Sequence, residues 1–283
     1  MNATDLSSSF QANGQETIVD SVTAPDGTRI AYQRSGEGPP LVLVHGSLDD
    51  RNTWAHLVPA FAPHFTVYAV DRRGHGESDE TGATGYTIEH EFSDIAAVLR
   101  SIRQPTYLLG HSFGAICALG AALHADNVRK LILYEPPIPI PPGQLLATAR
   151  TLLEIAYLLS IGDRDGAAVT FVREVVKVSQ EEIDAARSSP AWQIAMDAAH
   201  TLLYEMRAVD RYVFDPDGLQ KLTMPTMLLL GSESPSYLQA ATRALEAALS
   251  NSRVDVLQGQ GHLAMYTSPE LFLQKIFTFL TEN

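Results

Sequence analysis

Short apolar runs and helical periods alternate along most of this chain. Residues 18–24 and 28–34 are β-rich and meet at Asp26-Gly27, a dipeptide that favours a tight hairpin. An antiparallel meander is therefore expected first. Further runs at 40–45, 65–70, 105–109 and 128–134 are short, rich in Val, Ile, Leu or Tyr, and bounded by turn residues. Stretches of helical period lie between them, near 53–61, 87–102 and 115–125. Continuous apolar strands separated by helices predict βαβ units on a parallel sheet buried on both faces.

The rhythm breaks after Glu135. Pro136, Pro137, Pro139, Pro141 and Pro142 cannot occupy a central strand and mark an exit from the sheet. Residues 144–210 then carry three or four helical segments, the first strongly apolar through Leu145, Leu146, Leu152, Leu153, Ile155, Leu158 and Leu159. The β/α rhythm resumes with a strand at 225–231, a helix at 237–249, a strand at 253–257 and a final helix from Ser268. The predicted architecture is α/β, an eight-stranded, mostly parallel sheet with helices on both faces. Residues 16–137 and 213–283 form its core, 138–212 a helical cap, and 1–15 a flexible lead.

The 20 Lys and Arg against 33 Asp and Glu give a net charge of −13, and the basic residues are scattered, which disfavours a nucleic-acid partner. Cys117 stands alone, so an intrachain disulfide scaffold is excluded. The first 16 residues lack a basic segment followed by an apolar one, so no signal peptide is expected and a cytoplasmic location is the default. The apolar runs fall far short of the roughly 18–20 residues that cross a bilayer. No H-E-x-x-H, Cys/His cluster, G-x-G-x-x-G or Walker pattern occurs, so neither a metal nor a cofactor is implied.

The chemistry concentrates in Gly110-His111-Ser112-Phe113-Gly114, which follows an apolar strand directly and opens a helix. That is the setting of a nucleophile elbow: a sharp strand-to-helix turn projects the serine hydroxyl, and small residues two positions either side relieve the crowding. The start of the following helix also points backbone N–H groups at the same place.

On these residues the chain resembles the α/β-hydrolase superfamily, over about residues 28–280. His45-Gly46-Ser47 is similar to the family's H-G-x oxyanion loop, Asp71 to Ser78 to its D-x-R-G-x-G-x-S segment, and Gly259-Gln260-Gly261-His262 to its histidine loop. The resemblance implies acyl transfer, with Ser112 as nucleophile, His262 as base, and the N–H groups of Ser47 and Phe113 as oxyanion donors. Serine at 112 separates the chain from the dehalogenase and epoxide-hydrolase branches, whose nucleophile is a carboxylate. The paired segments 134–137 and 231–235, with the helical insert, are similar to esterases that open macrolactone antibiotics.

Most of the family carries the triad acid, usually Asp, three residues beyond a Gly after the seventh strand. Here Ser234 occupies that offset from Gly231. Two glutamates remain: Glu233, one residue earlier, and Glu135, at the end of the sixth strand, where a minority of the family carries the acid. Glu135 is preferred, because a strand end leading into Pro136-Pro137 would hold a carboxylate rigidly in a partly buried place.

His45, His75 and His111 lie inside the motifs, where packing and backbone bonding explain them, and Cys117 reads as a small buried apolar residue. Leu48, Tyr157, Trp192, Met196 and Tyr204 are the expected walls of a pocket above Ser112, suited to a bulky, largely uncharged acyl or lactone group. The expectation is a serine carboxyl-ester hydrolase, carboxylesterase or lactonase, acting on a small molecule as a monomer or weak homo-oligomer. Its rivals are a cofactor-free perhydrolase or haloperoxidase-like enzyme, and a hydrolase-fold receptor with vestigial turnover.

Overall fold

The hairpin expected at Asp26-Gly27 forms, with β1 (Ile18–Thr23) antiparallel to β2 (Arg29–Ser35) and Gly27 at φ +93° in the left-handed position its turn needs. The structure is a computed structural model that describes residues 18–80, 85–189 and 191–282. The lead expected at 1–15 lies outside them. Six more strands complete the sheet: β3 (Pro40–Val44), β4 (Thr66–Val70), β5 (Thr106–His111), β6 (Val128–Tyr134), β7 (Thr226–Gly231) and β8 (Ser252–Leu257). Their order is β1-β2-β4-β3-β5-β6-β7-β8, with β2 antiparallel to both of its neighbours and every pair from β4 to β8 parallel.

Period-two alternation divides the central strands between two cores. Val42, Val44 and Leu108 face one side and pack with α2 (Ile88–Ile102) and α3 (Phe113–Ala122). Leu41, Leu43 and Leu109 face the other and pack with Phe272, Ile276 and Phe279 of the last helix. The helical stretch expected at 53–61 is a 3₁₀ turn at Arg51–Trp54 followed by a short α1 (Val58–Phe61) that starts at a proline. Pro59 can open a helix but cannot continue one, which divides the stretch.

The insert between β6 and β7 carries α4 (Ala149–Ser160), α5 (Arg164–Phe171), α6 (Gln180–Arg187), α7 (Ala191–Ala198) and α8 (Leu202–Arg211). Three of them are eight residues long. Eight residues show barely two turns of periodicity, so the sequence pattern resolves only three or four segments here. Buried Ile155, Phe171, Trp192, Leu202 and Met206 give this insert its own apolar cluster, which also takes in Leu48 from the core. A short α9 (Pro216–Leu219), α10 (Ser236–Ala248), a short α11 (Ala264–Thr267) and α12 (Pro269–Thr281) complete the chain. Among the described residues, no helix is long and apolar enough to cross a membrane.

The topology itself positions a site. From β3 the chain passes to β4 on one side, while β5 pairs on the other. The loops after β3 and β5 therefore diverge at the C-terminal edge, leaving a crevice between them. His45-Gly46-Ser47 follows β3, and Ser112 follows β5.

Candidate active site

Ser112 is the single residue between the end of β5 and the start of α3, at φ +53° and ψ −125°. Only tight packing keeps a serine in that conformation. A Cβ at Gly114 would overlap the carbonyl oxygens of His45 and Val44, and one at Gly110 would overlap the backbone of Gly114 and Ala115. Gly114 thus lets α3 close on the end of β3, and Gly110 lets β5 turn directly into α3. Among the described residues, five non-glycines adopt positive φ, and three of them, Leu48, Ser112 and Glu135, flank this crevice. Each such residue costs roughly 1–3 kcal/mol, a cost that clusters at functional sites.

His262 sits beside the elbow. Its ring lies 4.6 Å from that of His111, and its carbonyl accepts a hydrogen bond from His111 Nε2 at 3.0 Å. Burial pushes the His111 pKa well below that of an ordinary histidine, so that imidazole is a neutral support. His262 Nδ1 lies 2.5 Å from Glu135 Oε2. Glu135 is fully buried, and its Oε1 accepts from the Gly231 N–H at 2.7 Å and from the Ser234 hydroxyl. With Nδ1 held by the carboxylate, Nε2 is the nitrogen left for Ser112. Among the described residues, no hydrogen bond joins Nε2 to the Ser112 hydroxyl; such contacts commonly tighten only with substrate bound.

Of the two glutamates, Glu135 is the one whose carboxylate contacts His262. Glu233 is exposed, its backbone N–H donates to Gln260 O at 2.9 Å, and among the described residues no hydrogen bond or ion pair joins its carboxylate to His262. Ser234 carries a hydroxyl and no acid, so the sequence assigns it no triad role. It stands at the usual acid offset and holds the carboxylate that reaches His262. Tyr134 was also missed: its hydroxyl donates to Gly261 O at 2.5 Å and accepts from the Ala264 N–H at 3.0 Å, pinning the histidine loop on both sides of His262.

On the opposite side of Ser112, the Ser47 N–H has no described acceptor, and Phe113, as the first residue of α3, has no intrahelical one. Beneath them lies fully buried Arg72, stacked 4.5 Å from the Phe113 ring and bonded to Glu91 at 2.8 Å and Glu205 at 2.5 Å. Burial pushes the Glu91 pKa up to about 7 against the pull of Arg72. At Glu205 burial acts in the same direction, but the Arg72 charge, with help from His75 and the Ser47 hydroxyl, holds the pKa down to about 2. Asp49, in the same loop, is raised to about 7 by desolvation, partly offset by a Thr53 hydrogen bond.

The expected pocket walls fare unevenly. Leu48 and Trp192 are buried in the insert cluster, and Met196 packs against it. The Trp192 indole N–H donates to Asp165 at 2.7 Å. Tyr157 is 63% exposed, because α4 turns Thr151 and Ile155 inward and a residue two positions beyond Ile155 faces the other way. Tyr204 packs against Tyr86, with the rings 4.5 Å apart and tilted by 53°, and lies against Gly74, at the seam between insert and core. A residue's place on its helix, invisible without the neighbouring elements, separates these outcomes. Among the described residues, no group of three or more His, Cys, Asp or Glu could hold a metal ion.

A model of the alpha/beta hydrolase family matches residues 41–275. The chain is 31% identical to an alpha/beta hydrolase from Sphaerobacter thermophilus, and the two structures align with a TM-score of 0.80 over 93% of this chain and 100% of that one. An esterase from Exiguobacterium antarcticum aligns with a TM-score of 0.75 at 25% identity, over 93% of this chain and 99% of that one. A non-heme chloroperoxidase from Streptomyces lividans is 28% identical over 278 residues, 92% of this chain and 98% of that protein. With the elbow, the histidine loop and the oxyanion loop assembled at one crevice and the family model spanning most of its length, the chain belongs to the alpha/beta hydrolase family.

Proposed function

We propose that this chain is a serine carboxyl-ester hydrolase, a carboxylesterase or lactonase, that works through an acyl-enzyme on Ser112. The observation that carries the reading is the Glu135–His262 pair at 2.5 Å, buried beside a serine held at φ +53°. Ser112 Oγ attacks the ester carbonyl as His262 Nε2 takes its proton, and the Glu135 carboxylate at Nδ1 stabilises the imidazolium that results. The oxyanion develops toward the N–H groups of Ser47 and Phe113; one such donor contributes about 3 kcal/mol. Collapse expels the alcohol, which receives the proton from Nε2, and water then repeats the sequence to release the acid.

The apolar insert cluster reaching Leu48 supports a bulky, uncharged substrate, macrolactones included. The enzyme works without a cofactor, as a monomer or weak homo-oligomer. The relative named a non-heme chloroperoxidase favours a second reading, in which the acyl-enzyme is attacked by peroxide instead of water. A fluorophosphonate probe and a short p-nitrophenyl ester test the first reading. Wild type is expected to label and turn over, and Ser112→Ala to do neither, with kcat down on the order of 10⁵–10⁶-fold. A wild type that neither labels nor turns over would overturn it. Halogenation that requires peroxide in acetate buffer, outpacing ester hydrolysis, would select the second.

A further inference from the structure

Three buried side chains grip the oxyanion loop from below, and one of them comes from the insert. In a trans peptide the C=O and N–H point to opposite sides, so the Gly46 carbonyl and the Ser47 N–H belong to one rigid plane. Arg72 Nη2 donates to that Gly46 carbonyl at 3.0 Å, and Arg72 Nε donates to the His45 carbonyl before it at 3.1 Å. Fixing the oxygen end of the plane fixes where the N–H end points, and a donor on the carbonyl also polarises the N–H. The same guanidinium stacks on Phe113, the residue that carries the other donor.

What fixes Arg72 is a pair of carboxylates, Glu91 at Nη1 and Glu205 at Nη2. Glu205 stands 133 positions further along the chain, on α8, and is 1% exposed. Its Oε1 also lies 2.9 Å from His75 Nε2, and His75 Nδ1 lies 2.7 Å from the Asp49 carbonyl, on the far side of Ser47. Burial and the Arg72 charge keep His75 neutral, with a single N–H. This donates from Nδ1 to the Asp49 carbonyl, and Nε2 accepts from Arg72 Nη2 at 3.1 Å, so the loop is held at Gly46 and at Asp49 and both holds meet at Arg72, which Glu205 fixes.

We propose that Glu205 is a positioning residue for the oxyanion side: by fixing Arg72, which holds the Gly46 carbonyl and meets His75, it sets the orientation of the Ser47 peptide, so that helix α8 positions the site as well as covering it. This rests on the ester-hydrolysis reading. A group that merely anchored the insert would, when lost, weaken substrate capture and raise KM. A group that orients a donor acts on the tetrahedral intermediate and lowers kcat.

The test compares wild type and Glu205→Gln on p-nitrophenyl acetate, a substrate small enough to need little of the insert, and measures inhibition by a trifluoromethyl ketone, which adds Ser112 to form an oxyanion adduct. The expected result is a kcat lower by about 10–100-fold, below the ~10²–10³ cost of deleting a whole donor. KM should stay within about threefold, and ketone affinity should fall in parallel with kcat/KM. Should Glu205→Gln not fold, His75→Gln, which keeps Glu205 on Arg72 but releases Asp49, is expected to show the same split. A wild type that turns over beside a Glu205→Gln variant with kcat within about twofold, or with the loss confined to KM, overturns the inference alone. A wild type that does not turn over overturns the ester reading and this inference with it.

Discussion

The two sides of Ser112 are built on different physical plans. On the histidine side, one buried carboxylate makes three contacts: Glu135 receives Gly231 N–H and the Ser234 hydroxyl on one oxygen and faces His262 Nδ1 with the other. On the proposed oxyanion side, a cluster of Arg72, Glu91, Glu205 and His75 holds the Gly46–Ser47 peptide plane by its carbonyl. In the proposed mechanism the first plan needs one charge in the right place, because its task would be to hold an imidazole and its developing charge. The second needs many contacts, because a backbone N–H can be aimed only by fixing the loop that carries it.

The largest effect is expected on the oxyanion side. Gly114→Ala would drive a methyl into the His45 and Val44 carbonyls, with no flexible side chain to yield. We expect a loss of about 3 kcal/mol or more, read by denaturant unfolding; a variant as stable as wild type would show that α3 does not clamp that loop.

Next comes a transplant on the histidine side. Ser234→Asp alone should lower kcat, since two carboxylates would then crowd one buried place. Combined with Glu135→Ala it should raise kcat about tenfold over Glu135→Ala by itself, a factor worth about 1.4 kcal/mol. No recovery would mean that position 234 cannot reach His262.

The smallest effect concerns Asp49, whose folded pKa of about 7 lies above that of an unfolded aspartate. The native state keeps a proton that the unfolded chain releases from about pH 4 upward, so stability falls as pH rises through the window between about 4 and about 7. Asp49→Asn should therefore raise Tm at pH 8, by about 2–4 °C for each kcal/mol relieved, and leave it unchanged near pH 4. An equal gain at both pH values in thermal scans would contradict the desolvation account.

Much of this was legible in the sequence, for local reasons. The elbow, the histidine loop and the oxyanion loop are contiguous motifs whose glycines and strand contexts stand in the chain itself. Glu135 could be weighed against Glu233 because rigid prolines follow it, but the choice needed the fold, since only the pairing of β6 with β7 brings Ser234 and Gly231 to its carboxylate. Arg72 lay in full view inside a motif, yet its partner Glu205 stands on a helix whose position no local pattern gives. Tyr157 failed for the complementary reason: apolar content predicts a helix but not which face meets its neighbour.

The central claim is that Glu135 completes the triad from the end of β6. Its most direct test is kcat/KM of Glu135→Gln and Glu233→Gln on a p-nitrophenyl ester, beside wild type. The account predicts a fall of about 10³–10⁴-fold for Glu135→Gln, the scale of an isosteric amide at a triad acid, and a change within about twofold for Glu233→Gln, an exposed loop residue. A large loss at Glu233 with Glu135→Gln near wild type would contradict it.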